Sequence, residues 1–576
     1  MQRAISLNFV VDGQQRLTTA IILIQSILEL IKAKDKLNFT DRADIQRRFI
    51  FDSKDDGISR SYVFGYEKDN PSYEFLKTRI FCERSSSAMT QETIYTQNLS
   101  NAKNFFGERL TALQRPGLEV LYKKVTQHLL LNIFTITEDV DVCVAFETMN
   151  NRGKPLSYLE LLKNRLIYLS LKFDEPDYER KKLRATINDC WKAIYHNLGR
   201  NKEQPLDDDR FLQTHYVIYF GKSVFDETAA DEVNRFRRLY RIDYAGDLLE
   251  NRFVSRNVMS DASVESQITL SGVYQYVNSL QEAVEMWYKM WNPFDSDFGP
   301  EIQPWLDKIN RLNMPFFQPL VLVFLQSESS DTRRIDFLQA IERQLFILSP
   351  MPRQFMSPFP YLEDSYKLLI ELRGGKVTAE KATKTISDKT ATLLRNSEFM
   401  RSVSARFRAD GFYRWDGIRY FLFEYNLDLQ KRSKTDRPKI YWPEFTEDKN
   451  DFLSVEHIFP RQARHEYWTS RFTGLTQKQR DALRDSLGNL LPLSKPKNSS
   501  LSNKPFPDKL GDAQNSPIGY RYGCYAENEL AKEQQWTPAS ILARGLRMLA
   551  FMEKRWNIEI GDENQKKAML GLDFMK

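Results

Sequence analysis

The sequence predicts an α+β protein that is predominantly helical, and three observations predict it. From Asp174 to about Phe423 nearly every stretch carries apolar residues at helical spacing, broken at Gly199 to Pro205, Asn292 to Pro300 and Ser349 to Pro360. Short β-prone runs stand apart from it, at Leu7 to Val11 and at His128 to Thr137, where branched and apolar residues read as a buried strand. Near the other end Ser454-Val455-Glu456-His457-Ile458-Phe459-Pro460 is strand-like, with Leu487-Gly488-Asn489-Leu490-Leu491-Pro492-Leu493 beyond it.

The chain has 576 residues, more than one core usually organises, so roughly two to four domains are expected. A mixed α/β domain over 1–172, a helical connecting region over 173–430 and a C-terminal domain over 431–576 follow from the pattern. The residues are 41% apolar and 28% charged, which argues against general disorder. A net charge of +6 permits a polyanionic partner without demanding one. Cys82, Cys143, Cys190 and Cys524 are scattered, as expected of free thiols in a reducing compartment. Ala20 to Ile31 is the most apolar stretch and is too short to span a bilayer, and no signal-peptide pattern opens the chain. A soluble cytoplasmic protein without a membrane partner is expected.

At the N-terminus, a strand, the turn Asp12-Gly13-Gln14-Gln15-Arg16 and an apolar helix could form an anion cradle of backbone N–H groups, with Arg16 as a fork for phosphate oxygens. The same residues also read as a polar loop that Gly13 turns and Asp12 caps. Further on, Asn151-Arg152-Gly153-Lys154-Pro155 breaks one helix, and Ser157 with Glu160 is a capping box that starts the next. Arg152, Lys154 and Lys163 are phosphate-binding candidates there, or ordinary surface charge. Asp207-Asp208-Asp209 reads as an acidic helix start rather than a metal site. The aromatics of Trp415 to Tyr425 read as core.

Glu456 and His457 carry the chemistry of the C-terminal region. Glu456 offers a hard carboxylate oxygen to a divalent cation, and Asn498 can add a carbonyl oxygen; such ligands suit Mg²⁺ or Mn²⁺. His457 points to the opposite side of the strand, and an imidazole titrating near pH 6.5 suits a general base. A lone Glu-His pair also arises by chance. Arg461, Lys497, Asn503, Lys509 and Arg544 are candidate DNA contacts: the positive charge of the four cations supplies phosphate affinity that falls with salt, and such charge is also ordinary on the surface of a basic protein.

The segment resembles the HNH (ββα-metal) nuclease motif. That resemblance implies metal binding at Glu456 and Asn498, one ion per site, base work at His457, and orientation of the loop or imidazole by Asn489. The spacing from Asn489 to Asn498 (498 − 489 = 9) matches the motif, whereas that from His457 to Asn489 (489 − 457 = 32) is longer than in compact modules.

Val10-Val11-Asp12-Gly13-Gln14-Gln15-Arg16-Leu17-Thr18-Thr19 resembles the signature of the ParB/sulfiredoxin-related domain of GmrSD-type modification-dependent restriction systems, and Ala145 to Asn164 resembles that family's second hallmark, an Asn-x-Arg-Gly turn followed by a helix carrying Leu-Leu-Lys-Asn. The resemblance implies a metal-dependent DNA endonuclease of a bacterial anti-phage, type IV-like restriction system. Its N-terminal domain would sense an NTP, modified DNA, or both, through Asp12, Gly13, Gln14, Gln15, Arg16, Asn151, Arg152 and Lys163. Relatives carry an Ile-Pro-x-Tyr-Gln-Arg-like block upstream, which the residues before Asp12 lack, so complete NTP binding is left open. Phage DNA is the expected partner, with a second copy or other defence proteins beside it. The alternative is a nucleotide-hydrolysing or DNA-binding defence protein without nuclease activity.

Overall fold

A computed structural model describes residues 10, 13–32, 34–54, 59–66, 72–83, 94–131, 156–226, 243–258, 268–313, 315–350, 360–435, 437–446, 453–512 and 518–575. The chain divides into two compact units, Met1–Asn292 and Pro293–Lys576. Both are mostly helical, and the strands among the described residues are short and paired two by two.

In the first unit, the helix Gln14–Leu30 starts from Gly13, whose φ of 90° lies in the left-handed region that glycine enters without strain. Its stripe of Ile21, Ile24, Ile27 and Leu28 is buried in one cluster with Ile45, Phe75, Leu76, Leu99 and Tyr122. Two antiparallel hairpins stand beside it, β1 (Lys36–Leu37) with β2 (Thr40–Asp41) and β3 (Phe51–Lys54) with β4 (Ser59–Tyr62). A strand at His128 to Thr137 is not seen in its described part: Lys124–His128 is a wide helical turn, and Leu129, Leu130 and Leu131 are exposed. The rest of that run, and all of Leu7 to Val11 except Val10, lie outside the described residues.

The helix Tyr158–Ser170 opens with the expected capping box: Ser157 Oγ accepts from the Glu160 N–H, and Glu160 Oε2 accepts from the Ser157 N–H, both at 3.3 Å. Asp209, near the start of the helix Asp208–Asp226, accepts from the Tyr158 N–H at 2.7 Å, and Asp207 accepts from the Arg210 N–H at 2.6 Å. The aspartate run therefore satisfies helix N-termini, as its position suggested. The helix Leu270–Trp291 packs along Asp177–Gly199, and Val273, Val277, Leu280, Ile187, Trp191 and Ile194 of the two helices are buried.

In the second unit, helices from Gln303–Leu312 to Ile418–Arg432 precede the strands β5 (Leu453–His457) and β6 (Leu490–Ser494). Trp415, Tyr420, Phe421 and Tyr425 are buried as expected, and Phe346 stacks on Trp556 with ring centres 3.5 Å apart. Trp556 ends the helix Pro538–Trp556. Beside it Arg555 bridges the buried carboxylates Glu342 and Glu424, at 3.0 and 3.1 Å, and Lys308 also donates to Glu424. A buried carboxylate needs such partners to stay charged.

Candidate active site

β5 and β6 pair antiparallel, with Glu456 opposite Leu491 and His457 opposite Leu490. Strand alternation sends Ser454 and Glu456 to one face and Val455 and His457 to the other. Behind β6 the chain enters the short helix Lys495–Leu501, which carries Asn498.

On the Glu456 face, Asn498 Nδ2 donates to Ser454 Oγ at 2.9 Å. That orientation leaves the amide oxygen of Asn498 out of this bond. The Lys509 ammonium, from the helix Phe506–Leu510, donates to Glu456 Oε1 at 2.8 Å and to the Ile458 carbonyl at 3.2 Å. Burial pulls the Lys509 ammonium below its ordinary pKa, while the Glu456 charge pulls it back. Oε2 of Glu456 is left out of the Lys509 pair. Glu456 Oε2 and the Asn498 amide oxygen are thus the two hard oxygens on this face that these hydrogen bonds do not use. Among the described residues no group of three or more His, Cys, Asp or Glu side chains is placed to hold a metal ion together.

On the other face, His457 Nε2 lies 3.0 Å from Asp485 Oδ1. Asp485 ends the helix Gln477–Asp485, and Arg484 binds both of its oxygens, at 3.2 and 2.9 Å. Burial would raise the Asp485 carboxyl, but the hydrogen bonds from His457 and Arg484 outweigh it and hold it down at about 2. Tyr413 lays its ring 4.3 Å from the imidazole, and the exposed Arg461 sits 4.9 Å over Tyr413.

Asn489 does not touch the imidazole; it braces the backbone around it. Its Oδ1 accepts from the Phe459 N–H at 2.7 Å and from Trp536 Nε1 at 3.1 Å. Its Nδ2 donates to the carbonyls of Phe459 at 3.1 Å and Arg484 at 2.8 Å. One buried amide therefore ties the loop after β5 to the segment that presents Asp485. Of the two roles expected, loop or imidazole, the geometry is that of the loop.

The expected DNA contacts separate by burial. Arg461 and Asn503 are exposed. Lys497 is partly buried and paired with Glu527. Lys509 and Arg544 have no exposed side-chain surface, which corrects their reading as DNA contacts: a phosphate cannot reach them. Arg544 instead donates from Nη1 to the carbonyls of Gly488 and Leu490, both at 2.9 Å, and from Nε to Glu529 at 3.1 Å. Sequence reasoning missed Asp485, Tyr413 and Ser454. For Asp485 the available signal was an acidic residue four before Asn489 (489 − 485 = 4), which is weak.

In the first unit, Gly13, Gln14, Gln15 and Arg16 sit at the start of the helix Gln14–Leu30, and Gln14 Nε2 donates back to the Val10 carbonyl at 2.7 Å. The side chains of Gln14, Gln15 and Arg16 are exposed. Lys163 is partly buried on the helix Tyr158–Ser170. Asp12, Asn151 and Arg152 lie outside the described residues. No described helix is long and apolar enough to cross a membrane.

An acid and an imidazole adjacent on one strand, with amides supporting each side, place the second unit in the class of hydrolytic nuclease candidates. Family models sharpen this: the N-terminal domain of GmrSD restriction endonuclease matches residues 5–167, and the C-terminal domain of GmrSD restriction endonucleases matches residues 400–551. The chain belongs to the GmrSD restriction endonuclease family. A search of curated proteins returned no match.

Proposed function

We propose that the chain is a metal-dependent DNA endonuclease of the HNH type, working in the cytoplasm in defence against phage. The observation that supports this most is the division of labour on β5. Glu456 stands on the face supported by Asn498 and Ser454, and the next residue, His457, is held by Asp485.

In this reading His457 takes a proton from a water molecule at a ring nitrogen. The water oxygen forms a bond to the scissile phosphorus, the P–O3′ bond breaks, and the departing oxygen takes a proton from solvent. Glu456 and Asn498 would hold a Mg²⁺ or Mn²⁺ ion, which would supply neutralisation of the phosphate charge that builds up. Asn489 keeps the loop after His457 in place, and Arg461 offers positive charge to a DNA phosphate near the imidazole. The first unit is read as the sensor of an NTP, of modified DNA, or of both, with the exposed Gln14, Gln15 and Arg16 at a helix N-terminus as its anion-facing part.

Cleavage of plasmid DNA with Mg²⁺ or Mn²⁺, beside a His457→Ala variant and a chelator control, tests the nuclease. Cleavage is expected only from the wild type with metal; equal cleavage by the variant removes His457 from the mechanism. A panel of unmodified, phosphorothioated and glucosylated-cytosine DNA tests the sensor. Phosphate release from NTPs by wild type and Arg16→Ala separates nucleotide turnover from DNA contact.

A further inference from the structure

An ionised carboxylate can only accept hydrogen bonds, so the 3.0 Å contact between His457 Nε2 and Asp485 Oδ1 requires the hydrogen to sit on Nε2. We propose that Asp485 is a positioning residue that holds His457 in its Nε2–H form and leaves Nδ1 as the nitrogen that takes the proton. This rests on the reading of His457 as the general base.

The surroundings support an assembled pair rather than a chance contact. Arg484 binds both Asp485 oxygens and keeps the carboxylate turned away from other partners. The backbone on either side is fixed: the Asp485 carbonyl accepts from the Phe412 N–H at 2.8 Å, and the Arg484 carbonyl accepts from Asn489 Nδ2 at 2.8 Å. Gly411, with φ +69°, makes this approach feasible, because a Cβ there would lie 2.6 Å from the Asp485 Cβ. Tyr413 restricts the imidazole plane from its side.

The chemical consequence is directional. When Nδ1 takes a proton from water, the ring becomes a cation whose far side already faces an anion. The carboxylate itself stays ionised and transfers nothing; it stabilises the charge that forms, as the acid does in Ser-His-Asp hydrolases. An amide in place of the acid could donate to Nε2 and would favour the opposite ring form, Nδ1–H, which cannot act as the base at that nitrogen.

Two measurements test this on the full chain. The first uses ¹⁵N-labelled histidine, with the His457 ring signals assigned by comparison with His457→Gln, at a pH where the ring is neutral. Wild type is expected to show Nε2–H, and Asp485→Asn to shift toward Nδ1–H. The second is steady-state DNA cleavage. Asp485→Asn is expected to lower kcat by about 10² to 10⁴-fold with KM changed by less than about threefold, and Asp485→Glu to recover part of the loss. An Nδ1–H ring in wild type, or an unchanged ring form in Asp485→Asn, overturns the proposal. So does a loss that falls on KM and leaves kcat intact. The ring measurement needs no catalysis, so an inactive wild type that shows Nε2–H would sink the nuclease reading while the Asp485 pairing stands.

Discussion

Lys509 donates to Glu456 Oε1 across 2.8 Å from a position where none of its side chain reaches solvent. Removing one member of such a pair leaves the other buried and unpaired, which costs about 3 to 5 kcal/mol. Lys509→Ala is therefore expected to lower unfolding free energy by about that amount in urea titrations. The salt dependence of DNA binding should keep its slope in this variant, whereas Arg461→Ala should reduce the slope by about one. A Lys509 variant of normal stability with a shallower slope would return this lysine to the DNA surface.

Acid should act on the His457–Asp485 pair. Asp485 is held at about 2, below its ordinary 3.8, so its pairing contributes stability that is complete above pH 3.8 and is lost as pH falls toward 2. The wild type should therefore lose about 2 kcal/mol more than Asp485→Asn between pH 5 and pH 2. Chemical unfolding of both proteins at a series of pH values checks it. Parallel losses in the two would mean that Asp485 makes no net contribution through its charge.

Local patterns were legible in the sequence. The Ser157 and Glu160 capping box needs only four consecutive residues, and the core face of Trp415 to Tyr425 follows from helical spacing. The acid, the imidazole and the two amides stood out because their chemistry and order repeat a known pattern. What stayed hidden depends on chain distance closed by folding. Asp485 is 28 residues from His457, and the helix ending at Asp485 together with the β5–β6 pairing brings it home. Lys509 and Arg544 were read as DNA contacts because charge suggests surface, and sequence does not show that a carboxylate or a row of carbonyls awaits them in the interior. The β3–β4 hairpin went unseen because Phe51-Asp52-Ser53-Lys54 and Ser59-Arg60-Ser61-Tyr62 are too short and polar to show alternation.

Arg544 clamps the entry to β6 by donating from Nη1 to the carbonyls on both sides of Asn489, those of Gly488 and Leu490. Arg544→Leu would leave these carbonyls and Glu529 without that donor, for a loss of about 3 kcal/mol or more. Because Asn489 is displaced with its neighbours, cleavage should fall in kcat as well as in stability. Arg544→Lys should recover little, since one ammonium does not reproduce the guanidinium fork. Thermal unfolding beside cleavage assays measures both; full recovery by lysine would show that charge alone is needed.

Gly488 makes the same junction possible from the backbone side. A Cβ on it would come within 2.0 Å of the Ile541 carbonyl oxygen and 2.6 Å of the Gly545 nitrogen, both backbone atoms of the helix Pro538–Trp556. Backbone cannot rotate aside as a flexible side chain can, so the helix must move away from the segment that carries Asn489. Gly488→Ala is expected to cost about 3 kcal/mol and to weaken the hydrogen bond from Trp536 Nε1 to Asn489 Oδ1. Gly474, which has open space around its missing Cβ and a φ of +75°, is the control: alanine there meets only backbone strain, for about 1 kcal/mol. Tryptophan fluorescence during urea unfolding follows both variants. If Gly488→Ala proves no more costly than Gly474→Ala, the tight seating of the closing helix against the Asn489 turn is not what holds the site together.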